Sequence, residues 1–357
     1  MLVPILITIV LTAISVIFLM SYFSKDNKKK KWGKKSLTLW NECNAKTILM
    51  NYVKNVTNEK SPDFIKKEDR IAIFDLDGTL FQETDPVYFD FRLYKYRVLD
   101  DPTYKDKATE HQKEVAHEIE GIFKTRIFPE GIVLRHAKVY AEVFKGMTVE
   151  EADKYVKDFS NKPSEGYNNL KIGDGFYKPM LEVIEYLQDN DFIIYIVSGS
   201  DRFTVRSLIE GKINIPKNYV IGTEARMVAT HQGDTDGFVY TFRQDDEMIF
   251  EGKLLIKDLY MNKVHNMIRE IGQIPVLSFG NSGGDSSVAN YVLTNKKYKG
   301  LSIMLLCDDI ERENGDLAKA EKFKAQCEKN GWVPVSMKND WKTIYGENVT
   351  RKHLNKK

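Results

Sequence analysis

The sequence predicts an α/β fold, a parallel sheet with helices on both faces, and two patterns carry that prediction. Short apolar runs, among them "IAIF", "FIIYIVSGS", "PVLSF" and "LSIMLL", alternate with stretches whose apolar residues recur at helical spacing. Each run also ends at a polar or glycine-rich motif, and in parallel sheets ligands gather where strands end and loops begin. With 357 residues and 42% hydrophobic content, the chain is long enough for one or two domains with a real core.

Residues 2–23, "LVPILITIVLTAISVIFLMSYF", carry no charge and are long enough to cross ~30 Å of hydrocarbon as a helix. The expectation is a transmembrane anchor over 1–23, followed by a polybasic juxtamembrane segment over 24–35. Seven lysines against Asp26 give that segment a local charge of +6, and since the whole chain carries +2, the remainder sums to −4. Lysine-rich flanks tend to stay inside, so the expected location is a single-pass membrane protein with its large domain in the cytoplasm; export to a periplasm is the alternative. The near-neutral remainder argues against nucleic acid as a partner. Three widely spaced cysteines and six histidines suggest neither a disulfide framework nor a zinc site.

The spacing of Leu39, Trp40, Cys43, Ile48, Leu49, Tyr52 and Val53 predicts a helix within 36–57. Residues 71–74 read as a buried strand. The next 82–177 are too long for a loop, and a Thr148-x-x-Glu151 capping box marks them as a mostly helical insertion. "KPMLEVIEYLQDND" then predicts a helix with Pro179 in its first turn, running into the strand "FIIYIVSGS". "DGFVYTF" followed by "EMIFEGK" reads as a β-hairpin with Asp236-Gly237 near a turn. "NKVHNMIREIG" is a short helix closed by Gly272, ahead of the strand that enters "GNSGGD".

Chemistry concentrates at "IAIFDLDGTLFQE". A buried strand does not ordinarily end in two carboxylates one residue apart, because their repulsion costs free energy unless a cation or a reaction occupies them. Three further segments stand with it: Ser198-Gly199-Ser200 at a strand end, a lysine near the helix before the last motif, and Gly280-Asn281-Ser282-Gly283-Gly284-Asp285. In this order and over residues 71–306, the chain resembles the haloacid dehalogenase superfamily of aspartyl-nucleophile phosphatases, nearest to the phosphoserine phosphatase and phosphorylcholine phosphatase-like branch.

The resemblance implies a Rossmann-like core over 36–81 and 178–350, with 82–177 as a helical cap. It implies Asp75 as nucleophile and Asp77 as the acid that protonates the departing alcohol and then activates water. Ser198, Gly199 and Ser200 would hold phosphate oxygens, and a lysine would neutralise Asp75 and the phosphoryl group. Lys263, 22 residues before Asp285, fits the spacing, with Lys253 and Lys257 as rivals. Mg²⁺ is the implied cofactor, held by Asp75, Asp77 through its carbonyl, Asn281 and Asp285. Asn281 stands where the family usually has an acid, which leaves one negative charge fewer at the ion. The implied partner is a small phosphomonoester. Glu83 and Tyr88 would meet its head group, of phosphocholine, phosphoethanolamine or phosphoserine type if that group is cationic. The competing reading is a catalytically silent module of the same fold, used for binding or scaffolding at a membrane.

Overall fold

The strand Ile71–Phe74 (β1) is apolar at every position because both faces of the sheet around it are covered. Ala72 and Phe74 point into one core with Leu49, Val53, Met180 and Val183, while Ile71 and Ile73 meet Val264, Met267 and Val288 on the other side. The computed structural model describes residues 36–352. Along the chain run α1 (Asn44–Thr57), β1, α2 (Phe89–Lys95), α3 (Glu110–Thr125), α4 (Ile132–Val143), α5 (Val149–Ser160), β2 (Tyr167–Asn168) and α6 (Lys178–Gln188). Then come β3 (Ile193–Asp201), α7 (Arg202–Ile209), β4 (Val220–Ala229), β5 (Met248–Ile256), α8 (Met261–Ile271), β6 (Leu277–Gly280) and α9 (Ser286–Leu293). β7 (Leu301–Leu306), α10 (Leu317–Asn330), β8 (Val333–Ser336), α11 (Met337–Asp340) and β9 (Thr350–Arg351) complete it.

The main sheet has the order β5-β4-β3-β1-β6-β7-β8. Every neighbouring pair is parallel except β4 with β5. β1 lies between β3 and β6, with Ala72 opposite both Ile194 and Leu277. This register brings the C-terminal ends of the three motif-bearing strands to one edge. Phe74 and Phe279 stack there with ring centroids 4.3 Å apart, a packed floor under the polar residues that follow.

The stretch between β1 and β3 holds α2 to α6, and both Thr109 and Thr148 start their helices with capping boxes. Its short strand β2 pairs antiparallel with β9 near the C-terminal end of the described chain. α1 begins later than the apolar spacing suggests: Cys43 caps it by accepting the Lys46 N–H. Trp40 lies ahead of the helix, edge-on to Trp341 with centroids 5.9 Å apart.

Two expectations are corrected. The hairpin is formed by β4 and β5, and "DGFVYTF" belongs to the loop between them. That loop folds around Asp246, which accepts from Thr230, His231, Tyr240 and Arg243. Phe238 is 95% exposed, so these aromatics have no sheet face to cover. The single-pass membrane location is also corrected, because no helix among the described residues is long and apolar enough to cross a membrane. Residues 1–35, on which the anchor, the polybasic segment and the orientation rested, lie outside those described.

Candidate active site

After β1 the chain turns sharply. The Gly78 N–H donates to the Phe81 carbonyl at 2.6 Å, and the Thr79, Leu80 and Phe81 N–H groups donate to the Leu76 carbonyl. Gly78 sits at φ +81°, where a side chain is strained, and a Cβ there would stand 1.9 Å from Asn281 Nδ2. Glycine is thus required twice, by its dihedral and by the approach of the "GNSGGD" loop. The turn leaves Asp75 and Asp77 facing one cavity of about 180 Å³. Glu83, Tyr88, Gly199, Ser200, Lys263, Asn281 and Asp285 line the same cavity.

Lys263 lies in the first turn of α8, whose Val264 and Met267 seat the helix against the sheet. Its ammonium is fully enclosed and donates to Asp75 Oδ1 at 2.6 Å and to Asp285 Oδ1 at 2.8 Å. Burial alone would lower its pKa, but the two carboxylates prevail and raise it, so the lysine stays charged. Asp285 is committed on both oxygens, since Oδ2 accepts from the Asn281 and Ser282 N–H groups. It therefore fixes Lys263 and shapes the loop rather than offering a free ligand atom. Lys253 pairs at the surface with Glu251 and is absent from the cavity.

Burial and the charge of Asp285 lift Asp75 to about 7, despite the lysine bond. Asp77 is raised well above the ordinary carboxylate range, by burial first and then by Asp90 and Asp75. Its Oδ2 accepts the Ser200 hydroxyl at 2.7 Å, and its Oδ1 is buried with no partner among the described residues. Both carboxyls are therefore drawn toward the neutral form by their enclosure. Ser198 departs from its expected position. It is fully buried outside the lining, and its hydroxyl accepts the Ser200 N–H at 3.1 Å, which braces the loop from beneath.

Two lining residues escaped the motifs. Asp90, in the first turn of α2, and Lys257, at the end of β5, both face the cavity, and the Lys257 ammonium donates to the Gly199 carbonyl at 2.6 Å. A signal for Asp90 was present: an acid amid aromatics in "VYFDFRLY". Lys257 was among the rival lysines but had no motif to place it.

Among the described residues no three His, Cys, Asp or Glu side chains are grouped as a metal cluster. The other oxygens are mixed: Asp75 Oδ2, which accepts only a long 3.4 Å bond from the Thr79 hydroxyl, the Asn281 amide and the Asp77 carbonyl. They suit Mg²⁺, which takes few protein oxygens of this hard type and keeps several waters. The absent Gly78 side chain leaves the space in which Asn281 closes over the turn.

Paired carboxylates at the end of a central parallel strand, a buried lysine and a glycine-rich loop thus share one cavity at the edge of the sheet. A model of the haloacid dehalogenase-like hydrolases matches residues 72–256, and the chain belongs to that family. No curated protein matches the chain. Similar solved structures include a functionally unknown protein from Anaerococcus prevotii, with 15% identity over 84% of this chain and 94% of that one, at TM-score 0.49. Cytosolic 5'-nucleotidase IIIB bound to cytidine gives 12% identity over 82% and 85%, at TM-score 0.47. A phosphoserine phosphohydrolase-like protein from Francisella tularensis gives 16% over 71% and 92%, at TM-score 0.38.

Proposed function

We propose that the chain is a Mg²⁺-dependent phosphomonoester hydrolase working through an aspartyl-phosphate. The observation that carries this reading is Lys263 bridging Asp75 and Asp285 in a cavity shared with Asp77. The Asp75 carboxylate attacks phosphorus in line with the leaving oxygen, and an O–P bond forms as the ester P–O bond breaks. The Asp77 proton passes to the departing alkoxide. Asp77, now a carboxylate, takes a proton from water, whose oxygen attacks the same phosphorus and frees Asp75. Lys263 holds Asp75 in orientation and offsets charge on the phosphoryl oxygens. Mg²⁺, held by Asp75, the Asp77 carbonyl and Asn281, would supply further positive charge opposite those oxygens.

The substrate reading is a small phosphomonoester with a cationic head group. Five carboxyl side chains and two lysines line the cavity, and Tyr88 and Phe91 add aromatic faces beside Asp90. Purified protein with Mg²⁺ is expected to hydrolyse p-nitrophenyl phosphate, and Asp75→Asn to abolish turnover. Retained activity in that variant rejects the mechanism. Among phosphocholine, phosphoethanolamine, phosphoserine and glycerol phosphate, the amine-bearing esters are expected to give the higher kcat/KM, and a preference for glycerol phosphate rejects the cationic head group.

A further inference from the structure

The strand β3 parts from its neighbours where the site begins. β1 pairs with it only as far as Ile196, and its register with β4 jumps from Ser198 opposite Gly222 to Asp201 opposite Thr223. Gly199 and Ser200 step out of the ladder between them, a bulge of the kind that re-aims side chains at sheet ends. A carbonyl released in this way needs another partner. The Gly199 carbonyl takes two, both from side chains: the Lys257 ammonium and the Thr223 hydroxyl each donate to it at 2.6 Å.

The bulge is closely held. A Cβ on Gly199 would stand 2.9 Å from Leu259 Cδ2, and one on Gly222 would stand 2.8 Å from the Ser200 carbonyl oxygen. Asp258, next to Lys257, donates its N–H to Thr223 Oγ1 at 3.1 Å and accepts Asn266 Nδ2 of α8 at 2.8 Å. From this seat Ser200 donates its N–H to Ser198 Oγ at 3.1 Å and its hydroxyl to Asp77 Oδ2 at 2.7 Å. The peptide that Lys257 grips thus carries the hydroxyl that meets Asp77. An N–H is what the carbonyl requires, so this grip does not turn on the charge of Lys257.

We infer that Lys257 is a positioning residue for the acid Asp77, acting through the bulge: it fixes the Gly199 carbonyl, and with it the Ser200 hydroxyl that orients the Asp77 carboxyl. This rests on the reading of Asp77 as proton donor to the leaving group. It gives Lys257 a task apart from that of Lys263, which answers Asp75.

The test compares kcat/KM on phenyl phosphate and p-nitrophenyl phosphate in the full chain with Mg²⁺. Phenoxide is the poorer leaving group and needs the proton, whereas nitrophenoxide departs with little help. Because kcat/KM covers the steps up to that departure, later hydrolysis of the intermediate does not mask the difference. Lys257→Met is expected to lose roughly 10- to 100-fold on phenyl phosphate, part of what a positioned acid contributes, and no more than a few-fold on the nitrophenyl ester. Ser200→Ala is expected to show the same split, and the double variant to be no worse than Ser200→Ala, since the two act in one chain of contacts. Equal losses on both esters, an unchanged Lys257→Met, or additive losses in the double variant overturn the inference and leave the phosphatase reading standing. A wild-type chain inactive on phenyl phosphate overturns the inference together with the role of Asp77. Should Lys257→Met lose its fold by circular dichroism, Lys257→Gln, whose amide nitrogen sits one bond short of the ammonium, takes its place. The same split is then expected, and equal losses again overturn the inference.

Discussion

At Lys263 one ammonium answers two buried carboxylates, so its removal leaves Asp75 and Asp285 facing each other without compensation. Lys263→Ala is expected to lower turnover by orders of magnitude and to cost about 3–5 kcal/mol in stability, the penalty for breaking a buried pair from one side. Lys253→Ala removes only a surface contact to Glu251 and should stay within about 0.5 kcal/mol of the parent by urea denaturation. A large loss of turnover in Lys253→Ala, with Lys263→Ala unimpaired, would move the role. Asp75, Asp77, Asn281 and Asp285 could be read from the sequence because each lies within five residues of the end of a buried strand, so local order places it at the sheet edge. Asp90 and Lys257 could not, since their approach depends on how α2 and β5 fold back over that edge.

The turn over 75–81 is the smallest element on which the chemistry depends. Gly78→Ala puts a methyl group into a strained dihedral and against Asn281. A destabilisation of about 1–3 kcal/mol is expected, with a loss of activity larger than stability alone explains. Denaturant melts alongside p-nitrophenyl phosphate assays check it, and a fully active variant would show the close approach to be dispensable. The strands β1, β3, β6 and β7 were legible as apolar runs too short for helices. β8 was not, because Pro334 argues against a strand unless it lies at a sheet edge, which is where β8 runs. β4 was hidden by its mixed pattern, "VIGTEARMVA", and its pairing with β5 was credited instead to the exposed aromatics between them.

Over the whole molecule, Glu313 gathers chain segments far apart in sequence: Thr84 after the catalytic turn, Tyr167 in β2 and Tyr345 near β9. Burial raises its carboxyl to about 7 from an ordinary 4.5. A raised acid favours the folded state while protonated, so this contribution is complete below about 4.5 and fades as pH climbs through about 7. Measured against Glu313→Gln, which does not titrate, wild-type stability is therefore expected to fall between pH 5 and pH 8, by on the order of 3 kcal/mol at most. A pH-independent difference would show that Glu313 is ionised throughout. No motif advertised this hub, because its members meet only after the long insertion and the C-terminal segment have docked.

The loop with Phe238 in open water divides the sheet in an unusual way. Chymotrypsin should cut there first, leaving β1, β3 and β4 on one piece and β5 to β8 on the other, yet β1 is wedged between β3 and β6. The two pieces are interleaved, so a nicked molecule should migrate as one body until denaturant separates it. Asp75 and Asp77 would then reside on one polypeptide and Lys263, Asn281 and Asp285 on its companion, so that neither fragment alone could turn over substrate and their reassociation could be followed by the return of hydrolysis.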